Sequence, residues 1–232
     1  MELTLLIEKL TLFGLTRQEA NIYITLFTEG ALTGYEVSKI TGISRSNVYS
    51  SLAGLVEKGA SYVSEGVSAK YIVVDVNEFC ENRIRTLQKE KKVISDNLPR
   101  KKEIADGYIT IAGYQNIMDK TINMIQQSER RIYLSIFSGV LDLILPYILE
   151  CIAKEIKVVL ITDKEVEIPK ALIYYYEIKD RQIQLITDSK YVLTGEIDET
   201  CLYSGQRNFV NVFKQSLSNT IKLIELTRGD KK

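Results

Sequence analysis

At 232 residues, 45% hydrophobic and 26% charged, the chain has the make-up of a folded globular protein with room for one to two domains. It contains no histidine, which excludes Ser-His-Asp and Cys-His nucleophile activation, histidine metal ligation and an imidazole pH switch. Formal net charge is zero, 30 basic against 30 acidic residues, so any affinity for nucleic acid has to come from local charge.

Cys80, Cys151 and Cys201 form no CxxC pair, so neither a zinc site nor a disulfide framework is expected, and no metal or cofactor is implied. No apolar run approaches the ~20 residues that span a bilayer, and the N-terminus lacks a basic segment followed by a cleavable apolar one. A cytoplasmic location without membrane association is expected.

In chain order, Leu3, Leu6, Ile7 and Leu10 form an apolar stripe ended by Gly14. Thr16 with Glu19 has capping-box spacing and predicts a helix with Ala20, Tyr23, Ile24 and Phe27 inward, closed by Gly30. Thr33 with Glu36 repeats that spacing, so a short helix should start at Gly34 and carry Val37 and Ile40 inward. Thr41-Gly42 then supplies a turn, and Ser44 is placed to accept from the free amides of a second helix that runs to about Lys58 and stops at Gly59.

On that second helix Val48, Leu52 and Leu55 recur at i, i+4 and i+7 and fix the buried stripe. Ser46, Asn47, Ser50 and Ala53 lie across from it, with Arg45 and Tyr49 on the flanks. Small and hydrogen-bonding side chains let a helix settle into a major groove about 12 Å wide and meet base edges. An ordinary solvated face would hold Glu and Lys, whereas Ser44 to Val56 contains no acidic residue. Ser61–Ser64 and Lys70–Val74 then predict a hairpin with Glu65-Gly66 at its tip. Lys70 is its sole cation, so its grip on phosphate is expected to be weak.

The order of two helices, helix-turn-helix and hairpin is that of a winged-helix domain. The run LTRQEANIYITLFTEGALTGYEVSKITGISRSNVYSSLAGLVEKG resembles the N-terminal domain of the TrmB family of transcriptional regulators over about Leu5 to Asp75. The resemblance implies sequence-specific DNA binding and carries the reading role onto Ser44, Arg45, Ser46, Asn47 and Tyr49. Ser50 shares that face, and phosphate contacts are expected from Thr33, Tyr35 and Lys70.

Asn77 is placed to cap a helix continuing to about Leu98, where Pro99 stops it. Cys80, Ile84, Leu87, Lys91, Ile94 and Leu98 alternate by four and three residues, a heptad seam with one lysine on it. Self-association through Ile84, Leu87, Lys91, Ile94 and Leu98 would set two reading helices at the spacing a palindromic operator requires. The alternative is packing against the chain's own second domain. From Arg83 to Lys102, eight cations stand against Glu90 and Asp96, a solvated helix face or a contact with the DNA backbone.

Beyond Lys102 strands alternate with helices. Strands are predicted at Tyr108–Ala112, Arg131–Phe137, Lys157–Thr162, Gln182–Thr187, Lys190–Glu196 and Thr200–Tyr203. Helices are predicted at Gln115–Ser128, Val140–Lys154 and about Phe209–Leu226. This pattern implies an α/β sheet covered on both faces. Tyr174-Tyr175-Tyr176 cannot all face one side of a helix, so one or two should be buried and one exposed.

This half resembles the phospholipase D-like domain that often follows the TrmB winged helix. The catalytic motif there is His-x-Lys, four residues, then Asp; here Asp188 and Gly195 stand at the histidine and aspartate positions and Lys190 alone remains. The resemblance therefore implies fold without catalysis. A retired pocket could hold an anionic or sugar-like effector, with Ser135, Asp188, Lys190, Arg207 and Asn208 as candidates alongside Ser138, Tyr191 and Ser204. Longer family members carry a further β-rich sugar-binding domain, which is not expected after the final helix here.

The fold expected is α+β multidomain: winged helix at 1–76, connecting coiled-coil-like helix at 77–106, and an α/β phospholipase D-like domain at 107–232. The function expected is a homodimeric, sequence-specific regulator of transcription bound to duplex DNA. Its rivals are a winged-helix module that binds protein, and a phospholipase D-like phosphodiesterase.

Overall fold

The computed structural model describes residues 3–66, 68–99, 107–176, 178 and 181–229. The chain separates into two units, Met1–Lys101 and Lys102–Lys232. No helix among the described residues is long and apolar enough to cross a membrane.

The first unit runs α1 (Leu3–Leu12), α2 (Arg17–Glu29), β1 (Leu32–Thr33), α3 (Gly34–Thr41), α4 (Arg45–Glu57), β2 (Ser61–Ser64), β3 (Lys70–Val73) and α5 (Val76–Asn97). Both predicted capping boxes form: Thr16 and Glu19 exchange hydrogen bonds at the start of α2, as Thr33 and Glu36 do at the start of α3. Gly42 and Gly59 adopt the positive φ, 71° and 70°, that lets each helix end without a Cβ clash.

The core gathers Leu10, Ala20, Ile22, Tyr23, Leu26, Val37, Val48, Leu52, Leu55, Val74 and Phe79. Burying each large aliphatic side chain contributes about 1.5–3 kcal/mol. Two expectations about facing were wrong. Phe27 and Ile40 are 56% and 52% exposed, while Ile22 and Leu26 are fully buried. On α2 the inward stripe runs through Ala20, Ile22, Tyr23 and Leu26, rotated from the one the spacing suggested.

The wing is a sheet in the order β1-β3-β2, antiparallel throughout. The hairpin of β2 and β3 was anticipated. The two-residue β1 was not, because its pairing of Leu32 with Tyr71 and Thr33 with Lys70 leaves no trace in local sequence.

The cap of α5 is Asp75 rather than Asn77, its carboxylate accepting from the amides of Asn77 and Glu78 at 2.8 and 3.3 Å. Phe79 is the buried residue of this helix, its ring 5.9 Å from that of Tyr23. Ile84, Leu87, Ile94 and Leu98 are 40–66% exposed, and Lys91 lies exposed on the same seam. Of the basic run, Arg83 folds over the α1–α2 turn against Gly14, and Arg85, Lys89, Lys91 and Lys92 are exposed. Arg100, Lys101 and Lys102 lie outside the described residues.

The second unit contains β4 (Tyr108–Ala112), α6 (Tyr114–Gln126), β5 (Arg131–Ile136), α7 (Ser138–Ala153), β6 (Lys157–Thr162), β7 (Leu172–Tyr175), β8 (Gln182–Thr187), β9 (Tyr191–Glu196), β10 (Thr200–Ser204) and α8 (Arg207–Gly229). Its sheet has the order β4-β10-β9-β8-β5-β6-β7, parallel from β5 to β7 and antiparallel elsewhere. Strand alternation divides the side chains between two cores. Ile132, Leu134, Leu160, Ile183, Leu185 and Leu193 pack with α6 and α7, and Ile161, Ile186 and Val192 pack with Val210, Leu217 and Ile224 of α8.

The expectation of a sheet covered on both faces is met. The tyrosine triplet, weighed as helical, instead closes the sheet edge as β7 and the residue after it. Tyr174 donates to Glu225 of α8, Tyr175 donates to the Val166 carbonyl, and Tyr176 is exposed.

Candidate nucleic-acid interface

The buried stripe of α4 comes out as its spacing requires, with Val48, Leu52 and Leu55 fully buried. Two polar ties lock that stripe onto α2. Ser51 donates to Gln18 at 3.1 Å, and Lys58 reaches the buried carboxylate of Glu19 at 2.5 Å. Burial pushes the Glu19 pKa up, but hydrogen bonds from Lys58 and the Thr16 amide and the Lys58 charge outweigh it, so the group sits below its ordinary value. The far side of α4 is open: Arg45, Ser46, Asn47, Tyr49, Ser50 and Ala53 are all exposed.

Ser44 occupies the N-cap position, but its hydroxyl lies 3.4 Å from that of Ser46 and makes no capping bond, contrary to expectation. The first turn of α4 thus keeps amides that its cap residue does not satisfy, beside the positive end of the helix dipole. Thr33 is also used differently from the expected phosphate contact. Its amide and hydroxyl both donate to Glu36, and its hydroxyl accepts from the Glu36 amide. The Thr33 amide and hydroxyl hold the Glu36 carboxyl below its usual range.

Tyr35, 42% exposed, is met by two cations: Lys39 Nζ lies 4.8 Å from the ring centre and Arg45 Cζ 4.6 Å. Lys39 was not among the residues predicted, although its i+4 spacing from Tyr35 on α3 was a readable signal. Tyr49 packs its ring against Gly34, where an added Cβ would stand 2.6 Å from the ring. Lys70 begins β3, exposed, opposite Thr33 and Ser64.

The effector candidates of the second unit divide between two ends of the sheet, Ser135 at one and Asp188, Lys190, Arg207 and Asn208 at the other. Ser135 lies near the C-terminal end of β5, in a cleft of about 240 Å³ with Gln182, Gln184, Thr194 and Glu196. Asp188, Lys190 and Arg207 sit at the other end, since Asp188 meets the residues that open β5. Four strand residues, roughly 13 Å, separate Arg131 from Ser135. Lys190 and Arg207 share a cleft of about 350 Å³ with Ser189, Tyr191 and Gly205, and Asn208 is exposed beside them. Ser138, also weighed, gives its amide and hydroxyl to Asp163.

Asp188 is structural. Its carboxylate accepts from the amides of Glu129, Arg130 and Arg131 at 2.8–3.0 Å. Burial raises its pKa, and those three amides with the Lys190 charge more than reverse the effect. At Gly195, φ is 147° and an added Cβ would stand 2.3 Å from the Thr200 carbonyl oxygen. An aspartate side chain has no room there.

Residues 10–77 match the family described as "Sugar-specific transcriptional regulator TrmB". That segment takes in α2, the helix-turn-helix, the wing and the start of α5. The likeness to the TrmB family rests on this segment. The chain is similar to the HTH-type sugar sensing transcriptional regulator TrmBL1 of Pyrococcus furiosus, 26% identical over 137 residues, 56% of this chain and 40% of that protein. Alignments cover 40% and 46% of the curated relatives' lengths.

Among solved structures, TrmBL2, described as an archaeal chromatin protein that shows a novel mode of DNA binding, aligns over 96% of this chain and 99% of its own, with 19% identity and a TM-score of 0.45. Nuc from Salmonella typhimurium, described as a phospholipase D family member, aligns over 49% of this chain and 93% of its own, with 12% identity and a TM-score of 0.39.

Proposed function

We propose that the chain is a sequence-specific DNA-binding transcriptional regulator that enters the major groove with the exposed flank of α4. The observation that carries this reading is the flank itself. Arg45, Ser46, Asn47, Ser50 and Ala53 stand clear of the fold on a helix anchored from behind by Val48, Leu52 and Leu55, with no carboxylate from Ser44 to Val56 to repel phosphate. Arg45, Asn47 and Tyr49 would meet bases and flanking phosphates. Lys39 and Lys70 would add phosphate contacts.

On this reading the protein acts as a homodimer, paired along Ile84, Leu87, Lys91 and Ile94 of α5 and Leu98 at its end, because a row of apolar side chains 40–66% exposed gains most by burial against its own copy. The roles divide as reading head at 1–76, connection at 77–106 and α/β domain at 107–232. That last domain is non-catalytic, since Asp188 is spent on three amides and position 195 excludes a side chain. It serves pairing or the binding of an anionic or sugar-like effector, for which the Lys190–Arg207 cleft is the better placed of the two ends.

Gel retardation of the DNA upstream of its own gene, at several salt concentrations, tests the reading. A specific, salt-sensitive complex lost in Arg45→Ala and Asn47→Ala is expected. Equal retardation by both variants would reject α4 as the reading helix. Capture of protein and no DNA would favour an interaction module.

A further inference from the structure

The aromatic ring of Tyr35 joins the two helices of the helix-turn-helix through charge. Tyr35 is the second residue of α3, Lys39 follows one turn later on the same helix, and Arg45 opens α4 beyond the Gly42 turn. Both cations lie over the one ring, at 4.8 and 4.6 Å from its centre. The neighbouring contact reinforces the arrangement, because Tyr49 of α4 packs on Gly34 with no space for a Cβ. The start of α3 and the start of α4 are thereby interlocked by two tyrosines.

Resting on the DNA-reading proposal, we infer that Tyr35 is a positioning residue, its ring a platform that presents Arg45 to a base edge and Lys39 to the phosphate backbone. A guanidinium lying over a ring keeps its N–H groups free at the edge. Its planar fork suits the paired acceptors N7 and O6 of guanine, whereas the lysine ammonium is a point charge suited to phosphate. Arg45 also stands at the N-terminal residue of the reading helix, the part that meets bases in helix-turn-helix proteins. Without the ring, an exposed arginine at this position would sample many rotamers, and its ordering on binding would oppose affinity. Two cations held over one ring repel each other, and an anionic or acceptor-rich partner relieves that repulsion.

The test uses the full chain with a duplex it retards preferentially, that duplex changed one base pair at a time, and a random duplex. Tyr35→Phe keeps the ring and should keep the wild type's discrimination, any lost hydroxyl contact to phosphate lowering affinity equally on all duplexes. Tyr35→Leu should lose about two- to fivefold in affinity for the preferred duplex, the range of a cation–π contact at an exposed site. Its discrimination at one G·C pair should fall by the same factor. In an Arg45→Ala background, Tyr35→Leu should cost no discrimination further. Lys39→Ala should lower the salt dependence by about one counterion and leave discrimination unchanged.

Three results would overturn the inference: Tyr35→Phe discriminating as poorly as Tyr35→Leu, discrimination losses of Tyr35→Leu and Arg45→Ala that add, or a loss by Tyr35→Leu that is equal on random duplex. Thermal melting accompanies each variant, with Tyr35→Met replacing Tyr35→Leu if the latter melts early. A wild-type protein that prefers no duplex would sink the DNA-reading proposal itself, a result distinct from these three.

Discussion

Gly54 shows how one residue sets the position of the reading helix. It lies on α4 where a Cβ would stand 2.2 Å from Glu19 Oε1, and Glu19 is pinned by the Thr16 amide at 2.6 Å and Lys58 at 2.5 Å. Replacing glycine by alanine within a helix ordinarily gains about 0.5–1 kcal/mol. Gly54→Ala should nevertheless lower the melting temperature, because displacing a buried, hydrogen-bonded carboxylate costs on the order of 1–3 kcal/mol. A raised melting temperature would show that Glu19 moves freely.

The same carboxylate makes a pH prediction. Its folded pKa lies below the ordinary 4.5, so its stabilisation is present above that value and is lost as pH falls through the folded pKa. Asp188, lowered from 3.8, behaves alike in the second unit. Acid unfolding followed by circular dichroism should therefore show a shallower loss below about pH 4.5 in Glu19→Gln than in the wild type, from a lower starting stability. Identical slopes would remove Glu19 from the acid transition. The role of Asp188 could not have been read from the sequence, because its amide partners lie 57–59 residues away.

At the scale of elements, α5 carries the next prediction. Its seam of Ile84, Leu87, Ile94 and Leu98 is exposed, and Phe79 at its first turn anchors it to the core of its unit. Leu87→Lys should therefore leave melting of the winged helix nearly unchanged and shift the mass in sedimentation equilibrium from dimer to monomer. A variant that stays dimeric would move the pairing surface elsewhere. Elements fixed by local chemistry were legible in the sequence: both capping boxes, the Val48–Leu52–Leu55 stripe, the wing hairpin, and β4, β6 and β8 to the residue. Elements that exist only through pairing were not. β1 depends on β3, and β7 on β6, so neither carries a period of its own. The effector candidates divide between two ends of the sheet for a related reason, since spacing places Ser135 and Lys190 at strand ends without saying which ends coincide.

For the whole molecule, zero net charge and a wing whose sole cation is Lys70 argue against a deep electrostatic grip. On the proposed reading, with Lys39 and Lys70 as the phosphate-reaching cations in each subunit and Arg45 on a base edge, the slope of log affinity against log salt should be on the order of −2 per subunit at about 0.9 per phosphate. A slope near −10 would bring in further cations, the exposed Arg85, Lys89 and Lys92 of α5 first among them. On the proposed reading, specificity comes from groove contacts by α4, presented twice at a spacing set by α5.

Methylation interference tests that claim most directly, because a methyl group on guanine N7 projects into the major groove where α4 is assigned. Interference is expected at two clusters of guanines about 10 base pairs apart, or a multiple of that, with the cluster pattern lost in Arg45→Ala. Binding indifferent to N7 methylation on every guanine of a G-containing site would contradict it.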